Sequence, residues 1–316
     1  MKLAMKTALI AVVLAFATSA SAQTFVRMVS GPAGGSWYPF GAKIAEVFQK
    51  DISGISTQNR PGGGVGNVRT VDKGSAELGW TFGFTAYNGF NGKGKFKKEH
   101  KNVRFFATLY PGVLQTAVPA KSKIMSYKDL ADKNISPGKI TFSGNVTMEK
   151  LLGLYGITYA QIKKNGGAIH RVGYTDSVAL MKDGHIDAFV GLTTAPNSSF
   201  LALDFQPGIR FLPVEADIAD RFIKQNPGFF KMDIDGGLYK GTPDAVPTIA
   251  TATVLIINKS VPDALAYKLV DSLWRNHGAL VKVHGNWKNV KLADALKAAA
   301  IPVHPGVAKY YKEKGL

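Results

Sequence analysis

The chain has 316 residues, with 39 Lys and Arg against 22 Asp and Glu, a formal net charge of +17 and no cysteine. Without cysteine, disulfides, thiol chemistry and thiolate metal sites are excluded. The positive charge has three interpretations: solubility, steering of an anionic ligand, and attraction to an anionic membrane surface. We do not expect nucleic-acid binding, because the one dense basic run, residues 92–101, resembles a solvated loop and lacks a basic helix or an aromatic stacking motif.

The first 22 residues have the three-part pattern of a secretory signal peptide. Lys2 and Lys6 precede an apolar run at 8–17, and Ala20-Ser21-Ala22 supplies the small residues of a cleavage site. We predict cleavage before Gln23 and a periplasmic mature protein. The apolar run is shorter than the roughly 20 residues of a membrane-spanning helix. The remaining length is sufficient for two lobes, each with its own core.

The first part of the mature chain predicts a βαβαβ unit, because strand-like apolar runs alternate with helix-like segments. In the first helix, Ile44, Val47 and Phe48 share one face, which is expected to be buried. The predicted strands are 24–30, 55–59 and 77–81, and the predicted helices are 40–50 and 66–73.

The middle and last parts predict a second unit and a return to the first. We predict strands at 103–109, 114–119 and 139–142, a short helix at 126–130 and a helix at 147–154, with the alternation continued by 169–172, 177–182 and 186–190. The β-branched strand 251–258 and the amphipathic helix 262–276, with Leu265, Leu269, Leu273 and Trp274 on one side, would then rejoin the first lobe.

This alternation predicts an α/β fold of two lobes, each with a mostly parallel sheet flanked by helices, and a hinge of two crossing segments. The expected division is a signal peptide at 1–22, a first lobe at 23–125 and 246–316, and a second lobe at 126–245. A cleft between the lobes follows from this division.

Three glycine-rich loops are candidates for the site, because each precedes a helix whose first N–H groups are free to hold an anion. In the first loop, 31–39, Ser36 is a plausible cap, and Trp37 and Tyr38 could wall a pocket, although a structural turn is the alternative. In the second, 60–67, Asn67 could cap its helix or bind a carboxylate. A nucleotide site is unexpected there, since the Lys-Ser/Thr ending of a P-loop is missing.

The third loop, 143–147, offers hydroxyl, amide and backbone N–H groups at a helix start, and would face the first loop across the cleft. Thr194, in the segment 193–197, could close the same face or simply belong to a capping turn. No catalytic residue, metal ligand or cofactor is expected. The six histidines are dispersed without an HExxH or a Gly-x-Ser-x-Gly pattern, and Asp183 and Asp187 have the spacing of a turn.

Five elements in order resemble the TAXI family, the extracytoplasmic solute receptors of TRAP transporters. They cover nearly all of the mature chain, and the last is the most specific. The elements are Gly34-Gly35-Ser36-Trp37-Tyr38-Pro39-Phe40-Gly41, Gly66-Asn67-Val68-Arg69 with Ala76-Glu77-Leu78-Gly79, Leu109-Tyr110-Pro111, Asp183-Gly184-His185-Ile186-Asp187-Ala188-Phe189, and Ile301-Pro302-Val303-His304-Pro305-Gly306-Val307 with Tyr310-Tyr311-Lys312-Glu313-Lys314-Gly315.

The resemblance implies a type II periplasmic-binding-protein fold without enzymatic activity, which binds a small organic anion and docks on the integral membrane subunits of a TRAP transporter. The anion would be a carboxylate, with dicarboxylates and amino acids included, since glutamate and 2-oxoglutarate are ligands in the family. The implied ligand-binding set, taken with the loops above, is Gly35, Ser36, Trp37, Tyr38, Asn67, Thr81, Phe82, Gly83, Ser143, Gly144, Asn145, Thr147 and Thr194.

Three departures from the family pattern make the predicted pocket more apolar. Residues 80–84 read Trp-Thr-Phe-Gly-Phe in place of a polar run, residues 143–147 differ from a Gly-Ser-Gly-Thr-like run, and Gly112 replaces an acid. A second resemblance is to the receptors of tricarboxylate transporters, whose NRPGxGG loop is similar to Asn59-Arg60-Pro61-Gly62-Gly63-Gly64. An enzyme on a binding-protein fold and a surface interaction protein are the remaining alternatives.

Overall fold

The computed structural model describes residues 23–316; the predicted signal peptide lies outside them. Nine strands form one mixed sheet in the order β2-β1-β3-β9-β4-β6-β5, with β7 paired to β4 and β8 to β9. The strands are β1 (Thr24–Val29), β2 (Ile55–Arg60), β3 (Leu78–Phe82), β4 (Val103–Pro119), β5 (Ile135–Ser136), β6 (Ala188–Thr193), β7 (Ile209–Phe211), β8 (Phe229–Ile234) and β9 (Val246–Asn258).

Eleven α-helices accompany the sheet in the described part of the chain, with three short 3-10 turns at Tyr127–Leu130, Gly285–Asn289 and Leu292–Asp294. The helices are α1 (Trp37–Asp51), α2 (Gly64–Asp72), α3 (Gly83–Phe90), α4 (Ser143–Leu154), α5 (Tyr159–Lys164), α6 (Tyr174–Lys182), α7 (Ser198–Phe205), α8 (Ala216–Gln225), α9 (Asp263–Arg275), α10 (His277–Val281) and α11 (Pro305–Glu313).

The two long strands β4 and β9 connect the two ends of the sheet. They pair antiparallel with each other, β9 also pairs with β3, and β4 also pairs with β6. Among the nine strands, parallel pairing is confined to β1 with β2 and β3, and to β5 with β6. We predicted two separate, mostly parallel sheets. This prediction is wrong, because the long strands β4 and β9 join the strands of both ends into one mixed sheet. We call the elements beside β1, β2 and β3 the β1 half, and those beside β5, β6 and β7 the β6 half.

Most predicted elements of the β1 half are confirmed. In α1, Ile44, Val47 and Phe48 are buried as predicted, and burial of such side chains stabilises the fold by about 1.5–3 kcal/mol each. The predicted strands 103–109 and 114–119 are the single strand β4, which bends at irregular register positions. Helix α3 was not predicted, because its sequence, GFTAYNGF, has two glycines and no apolar period.

The start of the second unit differs from the prediction. No strand occupies residues 139–142; the strand is β5, and Ile169 forms only an isolated bridge to it. Residues 139–142 instead approach the β1 half, where the Thr141 carbonyl accepts hydrogen bonds from the N–H groups of Val65 (3.1 Å) and Gly66 (3.2 Å). Segment 177–182 belongs to helix α6.

The C-terminal segment packs on α9, and α9 in turn contacts α1 of the β1 half. His304 is fully buried at the N-cap of α11, and its Nδ1 accepts the Gly306 N–H at 3.3 Å. A β-carbon on Gly306 would lie 2.8 Å from Cα of Asp263, so only glycine permits this close packing on α9. None of the helices in 23–316 combines the length and the apolar character needed to span a bilayer.

Candidate functional site

A small cavity lies where loops of the β1 half meet loops of the β6 half. Its volume is about 20 Å³, which is room for roughly one water molecule, so the two halves are closed on each other. The lining residues come from both halves: Pro32, Gly35, Ser36, Trp37, Gly63, Gly64 and Phe82 from the first, and Phe142, Ser143, Gly144, Tyr174, Leu192 and Thr193 from the second.

The first glycine-rich loop places a hydroxyl and an indole at the cavity. Gly34 has a φ of 78°, which favours glycine, and the Gly35 N–H donates to the Pro32 carbonyl at 3.0 Å, so the chain turns sharply into α1. The Ser36 hydroxyl then shares a hydrogen bond of 3.2 Å with the Thr193 hydroxyl of the opposite half. The Trp37 ring lies 4.7 Å from the Phe82 ring, between centroids.

The second loop brings its backbone against the opposite half. A β-carbon on Gly63 would lie 2.9 Å from Cε1 of Phe142 and 3.0 Å from the Thr141 carbonyl oxygen, and one on Gly64 would overlap the Ser143 hydroxyl. Side chains at these positions would therefore keep the halves apart. Glycine is required here for close approach across the cleft.

The Asn67 side chain forms hydrogen bonds with three backbone groups of the β1 half. Its Nδ2 donates to the carbonyls of Ser30 and Trp80, both at 2.7 Å, and its Oδ1 accepts the Gly63 N–H at 3.1 Å. Asn67 is buried and does not line the cavity. Because both amide protons and the carbonyl oxygen already have protein partners, the side chain fixes the loop in front of α2.

The third loop contributes hydroxyl and backbone groups from the start of α4. Ser143 shares a hydrogen bond of 3.0 Å with Thr85 of the β1 half. Asn145 and Thr147 lie away from the cavity: Asn145 Nδ2 donates to the Gly138 carbonyl at 2.9 Å, and Thr147 donates to the Ser143 carbonyl at 3.0 Å. Only the first residues of the loop therefore face the cleft.

The segment after β6 closes the cavity from the side of the β6 half. Thr193 lines it, whereas the Thr194 hydroxyl donates to the Pro196 carbonyl at 3.0 Å. Next in the chain, the hydroxyls of Ser198 (3.2 Å) and Ser199 (3.0 Å) donate to the Gly34 carbonyl across the cleft. These contacts hold the first loop against the β6 half.

Four helices begin with residues that line this cavity: α1 at Trp37, α2 at Gly64, α4 at Ser143 and α6 at Tyr174. The first turn of a helix has N–H groups without intrahelical partners, and its dipole favours negative charge. At α2, two of these groups are occupied by the Thr141 carbonyl. Helix N-termini from both halves therefore converge on the cavity, and such an arrangement can bind an anion without a basic side chain.

No Asp, Glu, Lys, Arg or His side chain is among the lining residues, and Tyr174 is the only titratable one. Burial raises the pKa of Tyr174, so its phenol stays neutral. The Tyr174 oxygen accepts the Leu192 N–H at 3.2 Å, and its own proton can be donated to a ligand. Deeper in the β1 half, the buried Tyr110 hydroxyl lies beside Ser36 without a hydrogen bond of good geometry.

An outer vestibule of about 410 Å³ adjoins the cavity and shares Pro32, Phe142 and Tyr174 with it. Lys139 and Asp176 are the charged residues that line it. The vestibule therefore lies next to the cavity, at the mouth of the cleft between the two halves.

A larger cavity of about 610 Å³ lies elsewhere, between β8, β4 and the segment 286–298. None of the thirteen predicted site residues lines it, and the glycine-rich loops do not reach it. We therefore place the candidate site at the smaller cavity, where the helix N-termini meet. In residues 23–316, no three His, Asp or Glu side chains form a cluster that could hold a metal ion.

The structure brings together six of the predicted residues and separates the others. Tyr38 is 38 % exposed outside the cavity, Thr81 donates to the Gly64 carbonyl at 3.0 Å, and Gly83 lines a different cavity near Phe84. The residues in the cavity lining are Gly35, Ser36, Trp37, Phe82, Ser143 and Gly144; those outside it are Tyr38, Asn67, Thr81, Gly83, Asn145, Thr147 and Thr194.

The sequence interpretation missed several lining residues. Gly63 and Gly64 belong to a loop that was singled out, and their requirement for close approach could have been inferred from the glycine run itself. Phe142 directly precedes the predicted third loop. Tyr174 and Leu192 carry no local signal, because only the packing of α6 against β6 brings them to the cleft.

Comparison with solved structures supports the fold. A chain named as an L-cystine ABC transporter from Listeria monocytogenes superposes with a TM-score of 0.51 at 14% identity, covering 84% of this chain and 95% of the other. The periplasmic aliphatic sulphonate binding protein from Escherichia coli gives 0.47 at 14% identity, over 91% of this chain and 78% of the other. The predicted two-lobed type II periplasmic-binding-protein fold is confirmed.

The sequence was also compared with protein families. The NMT1-like family matches residues 28–315, which is nearly all of the described chain. The chain belongs to the NMT1-like family.

Proposed function

We propose that this protein is an extracytoplasmic solute-binding receptor, which closes on a small organic anion and delivers it to the membrane subunits of a transporter. The observation that carries the proposal is the convergence of four helix N-termini and several hydroxyl groups, from both halves, on one closable cavity without a charged side chain. Such a site binds an anion through N–H and O–H donors. The named functions of structures with the same fold agree with this role.

Closure is the physical basis of the proposed function. The closed state is held by cross-cleft contacts such as Ser36–Thr193, Thr85–Ser143 and the ion pair of Lys95 with Glu149 at 2.7 Å. The cavity has room for about one water molecule, so its lining side chains must rearrange to admit an organic anion. An anion that contacts both halves makes the full set of contacts only when the halves close on it, so it shifts an existing equilibrium toward closure. A membrane partner can then distinguish the loaded receptor from the empty one by its shape.

The finer assignments also belong to this proposal. On the resemblance described above, the transporter is of the TRAP type and the ligand a carboxylate, with a tricarboxylate-type transporter as the second candidate. We also propose export with cleavage before Gln23, and lobes at 23–125 with 246–316 and at 126–245. Fractionation of cells that express the full chain, with detection of the mature protein in the periplasm, tests export. Co-purification with integral membrane subunits tests the transporter class.

The binding proposal is tested by calorimetric titration and thermal unfolding of the mature chain against carboxylates, dicarboxylates, sulfonates and amino acids. A ligand present at 100 times its dissociation constant stabilises the folded state by about 2.7 kcal/mol, which raises the melting temperature by several degrees. Ser36→Ala removes a lining hydroxyl and should weaken binding; Ser122→Ala, at a half-buried turn outside the cavity lining, is the matched control. If no member of any class stabilises the protein, the proposed function is wrong.

A further inference from the structure

Phe82 and Gly112 are neighbours across the central strand of the sheet. Phe82 at the end of β3 pairs with Thr253 of β9, and Gly112 of β4 pairs with Thr251. Since Thr251 and Thr253 are two residues apart, their side chains share one face of β9, and so do Phe82 and position 112. The two positions therefore compete for the same space on one face of the sheet.

The Phe82 ring occupies that space. A β-carbon on Gly112 would lie 2.8 Å from Cζ of Phe82, closer than carbon atoms approach in proteins. Phe82 is only 2 % exposed and lines the cavity, with the Trp37 ring 4.7 Å away between centroids. A side chain at position 112 therefore does not fit while the Phe82 ring is in place.

The result is an apolar wall beside a polar anion site. Trp37, Phe82, Phe142 and Leu192 line the cavity together with the hydroxyls and the helix N-termini. No Asp or Glu lines this cavity to pair with an ammonium group, and no Lys or Arg lines it to pair with a second acid group; Lys139 and Asp176 lie outside it, in the vestibule. Burial of either group without a partner is strongly unfavourable, whereas an alkyl chain gains free energy from burial.

We infer that the ligand has one anionic headgroup and an apolar tail, and lacks both an ammonium group and a second acid group. Phe82, placed over Gly112, is the residue that imposes this specificity. The inference rests on the proposed function and narrows its ligand class. The headgroup can be a carboxylate or a sulfonate, since both accept hydrogen bonds from N–H and O–H donors.

The experiment is a calorimetric titration of the mature chain with ligands that share one carbon skeleton. Pentanoate has one acid group, norvaline adds an ammonium group, and glutarate adds a second carboxylate; pentanesulfonate tests the headgroup, and glutamate carries both additions. We expect pentanoate or pentanesulfonate to bind at least tenfold more tightly than norvaline, glutarate or glutamate. Equal or tighter binding of any of these three would overturn the inference and leave the proposed function standing. If none of the five probes, nor any member of the wider panel above, binds, both fail.

The role of Phe82 is tested with Phe82→Ala against the control Phe84→Ala. Phe84 is also a buried aromatic residue at the junction of β3 and α3, with its ring 6.2 Å from that of Phe82, but it does not line the cavity. Phe82→Ala should lower the preference for pentanoate over glutarate at least fivefold, whereas Phe84→Ala should keep it within twofold. Phe82→Leu, which keeps an apolar wall and lowers the risk of misfolding, should retain most of the preference. An unchanged preference in folded Phe82→Ala, or equal changes in both alanine variants, would refute the role of Phe82.

Discussion

Closure of the cleft depends on glycine at position 63, and Gly63→Ala is the most direct way to disturb it. The backbone at Gly63 is extended, with φ −169° and ψ 144°, so alanine fits this conformation without strain. The new methyl group would lie 2.9 Å from Cε1 of Phe142 and 3.0 Å from the Thr141 carbonyl oxygen, both in the opposite half. The alanine methyl group therefore has a steric conflict in the closed form only.

The magnitude follows from these distances. Carbon atoms in contact prefer about 3.5–4.0 Å, so the halves must separate locally by roughly 1 Å. Overpacking of this kind costs about 1–3 kcal/mol. Because the open state lacks the contact, the cost falls on the closure equilibrium and weakens ligand binding by about 5- to 150-fold.

The assay combines titration of the mature chain with small-angle X-ray scattering. Gly63→Ala should bind the best ligand of the panel more weakly and show a larger radius of gyration. Gly153→Ala in α4 is the matched control, since a methyl group there would meet no tertiary neighbour within 4 Å, and helix propensity favours alanine. Affinity within twofold of the parent chain, with an unchanged radius, would refute the role of Gly63 in closure.

Three further predictions concern buried polar groups. Asn67→Ala should lower the free energy of unfolding by about 2–3 kcal/mol in urea titration, because it removes the side-chain partner of three buried backbone groups. Asn145→Ala loses one hydrogen bond and should cost about 1 kcal/mol, and equal losses would contradict the structural role of Asn67. Burial raises the pKa of tyrosines such as Tyr110 and Tyr174, so their contribution to the free energy of unfolding should be fully present below about pH 10 and be lost above it. The loss should be about 1.4 kcal/mol per pH unit for each tyrosine that ionises only on unfolding, and a melting temperature that stays constant to pH 12 would exclude this effect. Ligand affinity should be constant within twofold between pH 6 and about pH 9, because the only titratable residue in the cavity lining is the neutral Tyr174. A midpoint in the pH dependence of affinity within that range would show that an ionising group takes part in binding.

The expectation for Asn67 shows how local sequence can place a residue in a loop and still leave two roles open for it. An asparagine at a helix start after a glycine run is compatible with capping and with ligand binding. The choice between them depends on the carbonyls of Ser30 and Trp80, which lie 37 and 13 residues away in the chain. Nothing in the local pattern indicates that these carbonyls meet the amide.

The sequence by itself determined the alternation of strands and helices, the buried face of α1, and the three loops in front of helices. These features are local: apolar periodicity sets which face of a helix is buried, and glycine with capping residues marks a helix start. For the same reason six of the thirteen predicted site residues, including Ser36 and Ser143, lie in the cavity lining.

Only the tertiary structure decided how these local units combine. The merging of the two expected sheets depends on the pairing of β4 with β9, strands that lie more than one hundred residues apart in sequence. The contact between Phe82 and Gly112, and the presence of Tyr174 in the cavity, likewise arise from strand register and helix packing. Contacts across the cleft join segments that are distant in the chain, and no periodicity in either segment specifies its partner.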